Sequence, residues 1–499
     1  MEKVQMNSTH EERIKQATEA VREQAKTIDS TYRLGYHLMA PSGWINDPNG
    51  LIFYKGEYHA FYQHHPYDAT HGPMHWGHAK SRDLIHWEHL PVALAPGNAF
   101  DTSGCFSGSA VEGDDMLTLI YTGHNVTDSG SDEFFQNQNI ARSKDGLVFE
   151  KATENPVIPQ QPEGTTQDFR DPKVWKHGDK WYMVVGSTEK EGRRGQVLLY
   201  ASSNLSNWVY LGVLAHSDGT EGYMWECPDF FELDGKHILL ISPQGIEAEG
   251  ERYLNHHQTG FLIGDFDYET LTYTRGTFTE LDFGHDFYAV QTFKDEKGRR
   301  IAFGWMDMWE SPMPTQAHGW SGAFTLPREL SMSNQGRLLM NPVEEVAQLR
   351  KEEVPLDIEA VQDEEVLLPL AGEMIELELS LKTGTTTECG VKLRCSEDGG
   401  EETVLSFHAK EDKLVLDRSR SGKGVSGIRT GLVEASESLD LRIFVDRSSV
   451  EVFVNGGETV LTSRIYPSEG STGVKLFSRG GDVQLSSIRG YRLKDTWSE

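Results

Sequence analysis

The chain has 499 residues, enough for two or three domains with well-buried cores. It carries 47 basic and 77 acidic residues, a net charge of −30, and no long basic run, which argues against nucleic acid and anionic membrane surfaces as partners. Its four cysteines, Cys105, Cys227, Cys389 and Cys395, lack metal-type spacing. The N-terminus has no apolar signal core, and no apolar run is long enough to span a membrane. A reduced, cytoplasmic compartment is therefore expected.

Thr9-x-x-Glu12 predicts a capping box that opens a helix to about residue 27. It belongs to a helical leader, 1–30, expected to pack on the outside of the next unit. That unit, 31–341, contains a weak internal repeat. Five times a short strand, a turn and a second apolar strand follow one another: "NGLIFYKGEYHAFYQ", "GSAVEGDDMLTLIYTG", "DPKVWKHGDKWYMVVGS", "PDFFELDGKHILLIS" and "YAVQTFKDEKGRRIAFGW". Gly56, Gly113, Gly178, Gly235 and Gly298 mark the turns at steps of 57, 65, 57 and 63 residues.

A second series falls between these hairpins: "AKSRDLIHW", "ARSKDGLVF", "YASSNLSNW" and, more loosely, "IGDFDYETL". Each has Asp83, Asp145, Asn204 or Asp267 four residues before Trp87, Phe149, Trp208 or Leu271. Four strands in about 60 residues, five times over, predict a five-bladed β-propeller. "PVEEVAQLR" reads as a linking helix within 342–354. From residue 355 to 499 alternating strands lose the long period and predict a C-terminal β-sandwich, completing an all-β architecture.

In a propeller the first strand of each blade lines the central channel, so the starts of these strands converge on one mouth. There the sequence reads Asn46-Asp47, "FSGS", "FRDP", "WECP" and "HDFYA". Asp47 taken alone is turn chemistry, next to Pro48 and Asn49-Gly50. Asp47, Asp171 and Glu226 at equivalent repeat positions form a site, because facing carboxylates raise one another's pKa and are costly without a task. Cleavage of a ketoside needs one carboxylate to attack and one protonated group to donate to the leaving oxygen. Glu226, between Trp225 and Cys227, is expected to be desolvated. The mouth loops carry Gln63, Trp76 and Trp309, whose amide and flat faces suit a sugar; either Trp serves core packing equally well. Trp44, beside Asp47, fits sugar binding as well as a turn.

"WINDPNG", "FSGS", "RDP" and "WECPD", in that order, resemble the blocks of glycoside hydrolase family 32, the β-fructofuranosidases, and "DRSSVEVF" resembles a block of that family's sandwich. The resemblance covers roughly residues 31–499, and the helical leader is similar to that of bacterial members acting on sucrose-6-phosphate. It implies a retaining hydrolase of sucrose or sucrose-6-phosphate, with Asp47 as nucleophile, Glu226 as acid/base and Asp171 as transition-state stabiliser. Trp44, Asn46, Gln63, Trp76, Phe106, Ser107, Arg170 and Trp309 would shape the fructose pocket. The lesser alternative for Arg170 is a structural ion pair with an Asp, and for Ser107 a plain strand residue in a Gly-rich turn. No metal or organic cofactor is implied, and the partner is a small sugar. A phosphate on the substrate would look for Arg193, Arg194, Arg252, His256 or His257 in the mouth loops. The competing readings are a fructan hydrolase or fructosyltransferase of the same fold, and a non-catalytic carbohydrate-binding propeller.

Overall fold

The computed structural model describes residues 8–127, 133–382, 384–433 and 438–498; the leader's first seven residues and 128–132 of the second mouth loop lie outside them. The capping box forms: Thr9 Oγ1 accepts from the Glu12 N–H, and Glu12 Oε2 accepts from the Thr9 N–H, opening helix His10–Ala25.

Five antiparallel sheets make up the propeller. Their inner strands are Gly43–Tyr54, Gly104–Gly113, Thr165–His177, Met224–Leu233 and Tyr288–Lys294. The ring closes through strand Trp320–Ser321, which leaves the fifth repeat and pairs parallel with Gly43–Trp44 of the first sheet.

Local chemistry explains the two sequence series. Lys55-Gly56 and Asp234-Gly235 take positive φ at both residues, the two-residue hairpin that matches strand twist. The second repeat departs from the expectation. Its turn residues are Asp114 and Asp115, with φ of 52° and 58°, and Gly113 closes the strand before them. The Asp/Asn series is one turn built four times. The side-chain oxygens of Asp83, Asp145, Asn204 and Asp267 each accept from the backbone N–H groups two and three residues on. Trp87 and Trp208 then donate their indole N–H to the carbonyls of Leu84 and Leu205. The period is thus legible because a short polar side chain substitutes for backbone partners at the same place in each blade.

Residues Glu344–Leu349 form a single 3-10 segment where a linking helix was expected. The chain then builds two sheets of seven and six strands. Alternating strands such as Lys413–Arg420 bury Leu414 and Leu416 against Val391, Leu405 and Leu476, the pattern of a sandwich core. A separate apolar cluster joins Tyr36, Leu38 and Leu326 to Phe444, Phe453 and Leu493, so the sandwich is packed firmly on the propeller.

Candidate active site

Each inner strand is interrupted by a bulge near its start, and the bulges build the site. Ladder pairing skips between Ile45 and Pro48, Phe106 and Gly108, Arg170 and Lys173, Glu226 and Asp229, and Tyr288 and Gln291. The unpaired residues include Asn46-Asp47, Ser107, Asp171, Cys227 and Ala289. Asp171, Cys227 and Ala289 have φ of 65°, 49° and 54°, a left-handed conformation that costs energy in residues with a Cβ. Because Ala289 carries no reactive group, this strain belongs to the bulge itself.

The bulges correct the sequence reading in one respect. Glu226 does not stand at the position of Asp171. It pairs into the ladder as Arg170 does, and Cys227 is the counterpart of Asp171. Tyr288 occupies the same place in the fifth blade. The three carboxylates nevertheless gather at one mouth. An oxygen of Asp47, an oxygen of Asp171 and Cys227 Sγ all lie within 4.8 Å of one another.

Asp47 is buried and accepts three hydrogen bonds. Asn46 Nδ2 reaches Oδ1 at 2.9 Å, while Ser107 Oγ at 2.5 Å and Cys227 Sγ at 3.5 Å reach Oδ2. Burial raises its pKa and the charge of Glu226 adds to this; the Ser107, Asn46 and Cys227 hydrogen bonds oppose both. Asp171 Oδ2 accepts from the Cys227 N–H at 3.0 Å. Burial, with the charges of Glu226 and Asp47, pushes Asp171 up to about 7 against the pull of Arg170.

Glu226 is held on both oxygens. Arg170 Nε donates to Oε1 at 3.0 Å; Gln244 Nε2 and Tyr288 Oη donate to Oε2 at 2.8 and 2.6 Å. Its side chain is 15% exposed, but polar donors and not its sequence neighbour Trp225 surround it. Trp225 is fully buried away from it, donating its indole N–H to the Glu221 carbonyl. Arg170 also donates to Asp168 at 2.6 Å, so it is both an ion-pair partner and a part of the site.

The remaining candidates divide. Trp44 stacks on Trp309 with ring centroids 5.8 Å apart, and its indole N–H orients Asn46 Oδ1 at 2.7 Å. Trp309 is partly exposed above it, a flat face at the rim. Phe106 stacks on His124 at 4.2 Å. Gln63 is buried, donating to the Cys105 carbonyl. Trp76 has no exposed surface; it sits among Phe61, Leu119 and Tyr121 and donates to the Phe106 carbonyl. It therefore supports Phe106 from behind and does not offer a face to a sugar. Tyr288, Gln244 and Cys227 were not singled out from sequence. Tyr288 stands in "HDFYA" and Cys227 in "WECP", so aligning the repeats on their bulges would have found both.

Two family models match the chain in tandem: glycosyl hydrolases family 32 N-terminal domain over residues 37–342 and glycosyl hydrolases family 32 C terminal over 345–492. A sucrose-6-phosphate hydrolase from Escherichia coli is 47% identical over 459 residues, covering 91% of this chain and 94% of its own length. A Bombyx mori GH32 β-fructofuranosidase has a TM-score of 0.87 at 40% identity, with 98% of this chain and 99% of that one covered. The sucrose-6-phosphate hydrolase of Lactobacillus gasseri has a TM-score of 0.86 at 30% identity, covering 98% and 100%. A site of two buried carboxylates and one half-buried one on a five-bladed propeller, followed by a sandwich and matched along both parts, places the chain in glycosyl hydrolases family 32.

Proposed function

We propose that the chain is a retaining β-fructofuranosidase that hydrolyses sucrose or sucrose-6-phosphate to fructose and glucose or glucose 6-phosphate. The observation that carries this is the pair of differently dressed carboxylates at one mouth. Asp47 is buried and held by three donors that favour its anion, the state a nucleophile needs. Glu226 has its Oε1 taken by Arg170, which can only donate, so the transferable proton belongs on Oε2. There the Tyr288 hydroxyl has a second acceptor, the Ser242 carbonyl at 3.1 Å, to which it can turn when Glu226 is protonated.

In this reading Asp47 attacks the anomeric carbon as Glu226 protonates the departing oxygen, and a fructosyl ester forms on Asp47. Glu226, now a base, takes a proton from water, which attacks the same carbon and releases Asp47. Asp171 accepts hydrogen bonds from fructose hydroxyls as positive charge develops on the ring. The Trp44–Trp309 stack and Phe106 supply apolar faces for the sugar. The relatives' names support the substrate class: the E. coli relative is a sucrose-6-phosphate hydrolase, and a Bombyx mori β-fructofuranosidase is known with sucrose bound.

Among the sequence candidates for a phosphate, Arg194 pairs with Glu189 at 2.7 Å and Arg252 with Glu280 at 3.3 Å. Arg193 is exposed and makes no ion pair among the described residues, which leaves its guanidinium free to receive an anionic sugar. The test is fructose release from sucrose and from sucrose-6-phosphate, with the anomer formed first read by NMR. Release of the β-anomer first from either sugar is the expected result. No turnover of either sugar, with binding retained, would favour a carbohydrate-binding propeller instead.

A further inference from the structure

The sandwich touches the propeller's mouth loops at several points, one of them the loop 249–258. Its strand Ile428–Leu432 carries Arg429, whose Nε donates to Asn255 Oδ1 at 2.8 Å and whose Nη2 donates to the Leu254 carbonyl at 3.1 Å. Its Nη1 donates to its own Ile428 carbonyl at 2.9 Å. Arg429 makes no ion pair among the described residues, and burial lowers its pKa to about 10. This half-buried guanidinium spends its donors on a loop and on its own strand, not on a carboxylate. Nearby, Lys413 of the sandwich pairs with Glu251 of the same loop at 3.0 Å.

That loop leads directly to the proposed acid. Asn255 Nδ2 donates to the Gly284 carbonyl and the Asn255 carbonyl accepts from Gln258 Nε2, both at 2.9 Å. The Gln258 N–H donates to the Pro243 carbonyl at 3.1 Å, and His257 forms a β-bridge with Gln244. Gln244 is the residue that donates to Glu226 Oε2. His257 is 8% exposed, with its ring 5.9 Å from that of Tyr288. If Glu226 protonates the leaving oxygen, the loop beside Glu226 borders the leaving sugar and not the fructosyl ring.

We propose that Arg429 is a positioning residue through which the C-terminal sandwich sets the loop 249–258 against the leaving-group sugar. The inference rests on the assignment of Glu226 as acid/base. Its consequence is selective: loosening the loop removes binding energy that only a substrate with a sugar leaving group can use.

The experiment compares sucrose with methyl β-fructofuranoside, whose methanol leaving group has no ring for the loop to touch. Arg429→Ala should lower kcat/KM for sucrose by about tenfold, the scale of a lost hydrogen bond to a charged group, mainly through KM. Activity on the methyl fructoside should change by less than about twofold, and Arg429→Lys should recover part of the loss. Asn255→Ala, made on the propeller side, should reproduce the split and serves if the Arg429 variant folds poorly. Equal losses on both substrates, or no loss on either with only Tm lowered, would overturn the proposal and leave Arg429 a purely structural contact. Glu226→Gln run in parallel separates the two ideas: full activity of that variant on both fructosides would refute the acid/base assignment itself, whatever Arg429 does.

Discussion

Buried carboxylates are treated in opposite ways at the interface between the two domains and at the channel mouth. At the interface between propeller and sandwich, Asp282, Asp286, Asp307, Asp446 and Glu451 are all buried, and cations meet them almost one for one. Arg328 bridges Asp282 and Glu451; Arg464 bridges Asp286 and Asp307; Arg418 adds to Asp286; His37 lies between Asp446 and Glu451 at 2.8 and 2.7 Å. Burial alone would raise Glu451, yet Arg328 and His37 bring it down to about 2, and Asp286 is also held well below the usual range. Burial keeps Asp282 and Asp307 pushed up, against the pull of Arg328 and Arg464 respectively.

At the channel mouth Asp47, Asp171, Glu226 and nearby Asp168 face Arg170 as their only cation among the described residues. Burial and mutual repulsion there raise Asp47 and Asp171. Burial and the cations supplied together set the state of each acid: paired charge ties the two domains together, while the mouth holds its carboxylates with fewer cations.

This contrast can be broken from either side. The largest effect is expected from Asp47→Asn, which keeps shape and removes the attacking anion: kcat should fall by about 10⁴-fold or more, with Tm unchanged or higher because a buried charge is gone. Kinetics and calorimetry on one preparation check both, and a clear fall in Tm would place Asp47 with the structural acids. Glu226→Gln should lower kcat on sucrose by about 10²–10⁴-fold, while a fructoside with a strongly acidic leaving group, needing little protonation, stays close to wild type. Parallel losses on the two substrates would contradict the assignment.

On the interface side, Arg328→Met leaves Glu451 and Asp282 buried without their guanidinium. It should cost about 3–5 kcal/mol of stability, seen in denaturant unfolding, with the kcat of the remaining folded enzyme unaltered. His37 gives a pH test. Burial alone would lower its pKa, but hydrogen bonds to Asp446 and Glu451 lift it from 6.5 to about 9. Its folded pKa is raised, so its contribution is fully present below about pH 6.5 and is lost as pH rises through about 9. Wild type should therefore lose Tm between pH 7 and 10 more steeply than His37→Gln; identical slopes would show that the imidazole is neutral in the fold. The smallest effect concerns the unpaired cation at the rim. Arg193→Ala should cost about 1.5–3 kcal/mol in kcat/KM for sucrose-6-phosphate and leave sucrose nearly unchanged, as paired assays will show.

Much of the propeller was legible because its repeat rests on local chemistry. Asp83, Asp145, Asn204 and Asp267 each close a turn with backbone groups two and three residues away, so the same letters recur wherever the turn recurs. Convergence of the strand starts follows from the propeller itself, and it brought Asp47, Asp171 and Glu226 to one mouth. Their registration did not follow. A bulge shifts pairing by a residue, so Glu226 aligns with Arg170, and the partner residues Tyr288 and Gln244 come from strands that carry no acidic letter to mark them.

The sequence by itself determined the blades and the sandwich, because turn residues, strand alternation and repeat spacing act over a few neighbouring residues. Only the tertiary structure decided what each acid experiences. Nothing local to Asp446 and Glu451 marks them as buried and paired, yet His37 lies about 400 residues away from them along the chain and within hydrogen-bond reach in space. Likewise Trp76 and Trp309 are both aromatic residues in mouth loops, and packing alone made one a buried support and the other a face at the rim. Burial and charge balance depend on which distant segments meet, and that is fixed by the closed ring and by the sandwich packed on it.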